Sequence, residues 1–221
     1  MRLNADFSRR AVVRPDDYHW IESPVSGVER MMLDRVGDEV ARATSLVRYA
    51  PDSTFPVHEH GGGEEILVLS GEFGDEHGRY PAGYYLRNPI GSRHAPRVGA
   101  EGATIFVKLH QFDPEDDVQL ALDTRTAPWR PGRVEGVEVM PLHAFADERV
   151  RLERWASHTR GGERGLPGGA EYLVLEGCLH DADGAYPAGS WLRLPAGSRH
   201  APFSEALGAL LYVKSGHLPP T

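Results

Sequence analysis

HEHGGGEEILVLSG, residues 58–71, and RNPIGSRHAP, residues 87–96, decide how this chain is read. Residues two apart on an extended strand project to one face, so His58 and His60 can reach a common ion while Glu59 points away. The glycines at 61–63 let the backbone turn sharply before Glu64, and His94 can close the shell from a later strand that pairs back alongside. The candidate metal ligands are therefore His58, His60, Glu64 and His94. Three imidazoles and a carboxylate, with no thiolate, suit one divalent ion such as Zn, Fe(II), Mn, Ni or Co better than Cu(I) or an iron–sulfur cluster. No catalytic residue can be named from the sequence.

A duplication organises the rest. Shifting the chain by 106 places Gly63 on Gly169, Leu67-Val68-Leu69 on Leu173-Val174-Leu175, YPAG at 80–83 on YPAG at 186–189, and GSRHAP at 91–96 on GSRHAP at 197–202. Upstream, GVERMML from 27 matches GVEVMPL from 136 at an offset of 109, so one hairpin has lost three residues, a cheap change. The second copy acts as an internal control: His58 becomes Arg164, His60 becomes Leu166 and Glu64 becomes Ala170, while His94 persists as His200. A lone imidazole cannot hold a divalent ion in a closed site, so the second copy reads as metal-free. Glu65 persists as Glu171 in the copy without ligands, which assigns it a structural ion pair or hydrogen bond and leaves Glu64 as the ligand.

These residues carry a resemblance. His58, His60, Glu64 and Gly71 fit the cupin pattern of HxH, three residues, Glu, six residues, Gly, and Gly83, Pro89, Gly91 and His94 fit its second block. Many cupins place Asn four residues after that His, where this chain has Val98. EEILVLSGEFGDEHGRYPAGYYLRNPIGSRHAP, from Glu64, resembles more narrowly the ChrR-type cupins, which include the sensor half of zinc-dependent anti-sigma factors and presumed dioxygenases. The resemblance implies an all-β fold of two tandem cupin barrels, that is, double-stranded β-helix or jelly-roll units.

The expected boundaries are an N-terminal arm at 1–23, a metal-binding barrel at 24–112, a linker at 113–132, a degenerate barrel at 133–217 and a tail at 218–221. The arm holds Tyr18, Trp20 and Ile21 and would pack on a neighbouring domain or subunit, and the linker carries Pro114, Pro128 and Pro131. Along EEILVLS both faces are apolar, so the outer face of that strand should be covered. At 221 residues and 40% hydrophobic content the chain can bury one large core or two small ones. A formal charge of −8 argues against a direct nucleic-acid partner. The single cysteine, Cys178, excludes a disulfide framework, and no run of 18 apolar residues or signal-like start occurs, so a cytoplasmic protein with no membrane span is expected.

Several residues have plain structural readings. A histidine at position 94 or 200 could serve folding by bonding a strand carbonyl. His77 and His110 are expected to be solvated, and Arg93, Arg199, Lys108 and Lys214 to pair within the scaffold. Three function classes stay open. One is a metal-dependent enzyme, such as a non-haem dioxygenase, acting on a small organic molecule. Another is a ligand- or oxidant-sensing cupin, with a sigma factor as partner in that reading only; a complete anti-sigma factor is not expected, because a helical sigma-binding domain has no room before residue 27. The last is a metal-clamped fold without chemistry. A homodimer is compatible with each.

Overall fold

Val-, Leu- and Thr-rich runs broken by glycine and proline turns favour strands over helices. Strands are what the chain forms. In the computed structural model the described residues are 1–38 and 40–219; Glu39, and Pro220 and Thr221 of the expected tail, lie outside them. Among the described residues there is no α-helix, only a 3₁₀ turn at Pro15–Asp17, and no helix long and apolar enough to cross a membrane.

The chain divides into two units, one of residues 1–5 and 19–127 and the other of residues 6–18 and 128–221. Described by itself, the first holds an antiparallel sheet in the order Arg2–Leu3, Val28–Gly37, Ala41–Tyr49, Arg97–Leu109, Glu64–Gly74, Tyr84–Asn88, Leu120–Asp123, and a separate ladder of His58–Glu59 with Arg93–His94. The second repeats the plan: Arg130–Pro131, Val137–Phe145, Glu148–Trp155, Phe203–Ser215, Ala170–Asp181, Trp191–Leu194, Ala11–Val13, with a ladder of Arg164–Leu166 and Ser198–His200. Each is a jelly-roll barrel with its own apolar core, Ile66, Val68 and Val107 in one and Tyr172, Val174 and Val213 in the other.

Pairing partners confirm the offset of 106. Glu64 lies opposite Asn88 and Leu109, and Ala170 opposite Leu194 and Ser215. The shortened hairpin is the first of each unit. Val28–Gly37 and Ala41–Tyr49 become Val137–Phe145 and Glu148–Trp155, one residue lost from each strand and one from the connection.

The residues read as arm and linker are not mere connections. Ala11–Val13 adds to the edge of the second unit's sheet beside Trp191–Leu194, and Leu120–Asp123 takes the matching place beside Tyr84–Asn88 in the first. The offset of 109 thus reaches back through Trp20 and Trp129, which stack Arg48 at 3.7 Å and Arg154 at 4.1 Å. The expected linker carries two short strands, Leu120–Asp123 and Arg130–Pro131.

The Glu64–Gly74 strand is buried on both faces, as its sequence requires. Glu64, Ile66 and Val68 face inward, whereas Glu65, 2% exposed, places a carboxylate oxygen 3.6 Å from Arg87, which also pairs with Asp116 and stacks on Phe112. Gly71, at φ +68°, is required by close packing: a Cβ there would lie 1.9 Å from the carbonyl oxygen of Gly102.

Candidate metal centre

One two-stranded ladder and one strand of the main sheet bring the predicted ligands together. His94 pairs directly opposite His58, which sets those rings side by side, and His60 follows as the chain turns through glycines toward Glu64. One nitrogen of each imidazole and one oxygen of Glu64 lie within 4.8 Å of one another. The ring centroids are 4.7–5.0 Å apart, and Glu64 Oε2 is 3.5 Å from His60 Nε2 and 3.6 Å from His94 Nε2. These spacings are too long for hydrogen bonds. His60, Glu64 and His94 are buried and His58 forms the exposed side.

Both Nε2 atoms, of His60 and His94, are buried with no hydrogen-bond partner among the described residues. Burying a polar nitrogen unpaired costs about 1–3 kcal/mol, a cost that a shared cation would reverse. Burial, then the neighbouring His94 and His58, pulls His60 down to about 4, and burial followed by His58 lowers His94, against the pull of Asp75. Both imidazoles are thereby kept in the neutral form a metal takes. Burial pushes Glu64 up to about 7, opposed by its hydrogen bond from Asn88. A carboxylate and lone pairs converging in a water-poor site fit a divalent ion.

Outer contacts orient these groups, and the sequence reading missed them. Asn88 Nδ2 donates to Glu64 Oε2 at 3.0 Å, and Ser92 Oγ lies 3.4 Å from His60 Nδ1. His94 Nδ1 is 3.3 Å from Asp75 Oδ2, while Asp75 Oδ1 accepts from the amides of His77 and Gly78 and from the Tyr80 hydroxyl. The partner of His94 is thus a fixed carboxylate, not the strand carbonyl considered above. Asn88 had a signal in the repeat, where it is Leu194 beside the loss of Glu64 to Ala170.

A cavity of about 440 Å³ opens on the cluster. Ala41, Ala43, Ser45 and Val47 line it because they alternate inward along one strand, and their small side chains leave the room. Tyr49, Arg30 and Arg35 also line it, and so does His110, which was expected in solvent but packs its ring over Gly62. His77 is exposed on its turn. Burial and nearby Glu64 raise the Tyr49 hydroxyl well above the ordinary range, so it remains a donor.

The same register in the second unit carries charged side chains that pair with one another, around a cavity of about 530 Å³ lined by Arg151 and Arg164. Arg164 stands opposite His200; it donates to Tyr172 Oη at 3.2 Å and lies 3.7 Å from Glu153, which also accepts from Arg151 and Trp155. His200 bridges Tyr172 at 3.2 Å and Asp181 at 3.1 Å. The recurring arginines pair in the scaffold, Arg93 with Glu59 and Arg199 with Glu163, and Lys108 and Lys214 are held by Thr44 and Glu148.

A family model described as "ChrR Cupin-like domain" matches residues 8–113 and again 117–219. No curated protein matches the chain. Solved structures share the fold. A candidate dioxygenase from Nostoc punctiforme is 19% identical, with 100% of this chain and 84% of that one covered and a TM-score of 0.75. The pirin YhhW of Escherichia coli, in complex with nickel(II), is 12% identical over 96% and 100% of the two chains, with a TM-score of 0.67. A mutant of the oxalate decarboxylase OxdC of Bacillus subtilis is 13% identical over 96% and 78%, with a TM-score of 0.62. At these identities the likeness is one of fold.

Proposed function

This chain belongs to the ChrR cupin-like family, and from that premise we propose that it holds one divalent ion at His58, His60, Glu64 and His94 and acts there on a small organic molecule, in an O2-dependent or related reaction. The observation that carries the reading is the pair of buried, unpartnered Nε2 atoms facing a buried carboxylate. Four protein ligands would leave an ion such as Fe(II), Mn, Ni or Zn open positions for an oxygen ligand, and the bound ion supplies Lewis-acid or redox chemistry. The protein's part is positional. Asn88 aims Glu64, Asp75 fixes His94, and the cavity admits the organic molecule against a largely apolar wall.

Elemental analysis of protein purified without added metal, followed by an oxygen-consumption screen on diketones and phenolic ketones, tests this. Stoichiometric iron or another redox-capable ion with oxygen uptake supports the enzyme. Zinc with no uptake favours a ligand- or oxidant-sensing barrel instead, and absence of any bound ion refutes the centre.

A further inference from the structure

We infer that the first barrel's cavity is built for a small organic anion, a carboxylate with an apolar body, whose charged end is held by Arg30 and Tyr49 beside the His–Glu cluster. The inference deepens the proposed function and rests on it for the place of the ligand's other end; the anion anchor can be tested without the metal.

Arg30 owes its place to the local fold. On Val28–Gly37, Val28 and Arg30 face the cavity by simple alternation, and the register shift between Met32 and Asp34 brings Arg35 to the same side. Arg30 lies opposite Val47, and Tyr49, two residues further on that strand, is within diagonal reach. Arg35 already donates to the carbonyl of Asp38. Arg30 forms no hydrogen bond or ion pair among the described residues, and neither does the Tyr49 hydroxyl, whose ring is fixed edge-on to Phe55 at 5.2 Å. A guanidinium and a hydroxyl that line one cavity and hold no protein partner make a ready site for a carboxylate.

Charge points the same way. The chain is acidic overall, yet its cavity is lined by Arg30 and Arg35 against Glu64 and Glu59, and Glu59 is neutralised by Arg93 outside. A divalent ion at the cluster would make the interior more positive still. Low-dielectric walls of Val28, Val47, Val107 and Leu109 strengthen the attraction for an anion and would pack its apolar body.

The second barrel supplies the control. Arg30 becomes Val139, which keeps the same place opposite residue 153, and Tyr49 becomes Trp155, whose indole is tied to Glu153. Both anchor groups are thus absent from the copy that lacks the ligands.

Phenylacetate and its neutral isostere phenylacetamide serve as probes, titrated by calorimetry into metal-loaded and chelated protein, with metal content measured on the same samples. Phenylacetate is expected to bind at least tenfold tighter than the amide. Arg30→Gln should abolish that preference without changing metal content, Tyr49→Phe should reduce it several-fold, and Arg35→Gln should leave most of it. Equal binding of acid and amide, or an Arg30→Gln variant that keeps the preference while folded by circular dichroism, overturns the anchor. Protein that takes up no divalent ion on loading yet still shows the Arg30-dependent preference keeps the anchor and refutes the metal centre.

Discussion

The two barrels share a fold and a His–Asp–Tyr contact, but line the same interior register with opposite chemistry. In the first, Ala41, Ala43, Ser45 and Val47 leave a cavity in front of three imidazoles and a carboxylate. In the second the equivalent residues are Asp147, Arg149, Arg151 and Glu153, and Glu153 braces the guanidinium of Arg164 that replaces His58. Where one barrel leaves the Nε2 atoms of His60 and His94 unpartnered, the other ties their register's Arg164 and His200 to Tyr172, Glu153 and Asp181. The difference separates what the fold needs from what the site needs. His94 and His200, Asp75 and Asp181, Tyr80 and Tyr186 are kept in both, whereas Asn88 disappears together with Glu64.

The adjacent glutamates give the largest expected contrast. Glu65→Gln should retain metal but cost about 3–5 kcal/mol in denaturant unfolding, because it breaks a buried pair with Arg87. Glu64→Gln should strip the metal, and it removes a buried charge. Metal loss on Glu65→Gln with retention on Glu64→Gln would reverse the two roles.

Next comes the coupling of metal to stability. Ligands from separate strands meet only in the folded barrel, so at a free-metal level about 100-fold above the dissociation constant the ion should add about 2.7 kcal/mol. Chelation should lower the melting temperature, His58→Ala should lower it similarly and abolish the response to chelator, and His200→Ala should remain chelator-sensitive. Equal melting temperatures for loaded and chelated protein would sever the coupling.

Placing the second barrel's own residue in the first, Asn88→Leu, should weaken metal binding about 10- to 100-fold through the loss of the hydrogen bond that aims Glu64. A competitive chelator titration measures it, and an unchanged affinity would make Asn88 a packing residue only.

A further contrast, independent of the metal, belongs to His200. Burial, helped by Arg164 and Arg10 and opposed by Asp181, holds it down to about 4. Between about 6.5 and about 4 the unfolded chain binds a proton that the folded one refuses, so stability falls as pH falls, by at most about 1.4 kcal/mol per pH unit. His200→Gln should flatten this slope in chelated protein, and a slope unchanged by the substitution would refute it.

The ligand cluster and the duplication were legible because they rest on short, fixed spacings: HxH on one strand, Glu64 after a glycine turn, and a second copy to compare. The exchanged edge strands were not. Ala11–Val13 and Leu120–Asp123 are too short for a periodic signal and share almost no identity, so only pairing partners reveal them. His110 looked like a strand-end residue, and nothing local says that its ring turns over Gly62 into the cavity. Asp75 is part of an ordinary turn sequence until the fold brings His94 to it, although its recurrence as Asp181 at the same offset as His94 and His200 was a readable sign.

The central claim is that one barrel is built for an ion and its twin is not, and metal stoichiometry tests it most directly. Inductively coupled plasma analysis of the intact chain should find one divalent ion, lost on His94→Ala and kept on His200→Ala. Two ions of equal occupancy, or one that survives His94→Ala and leaves with His200→Ala, would contradict the account.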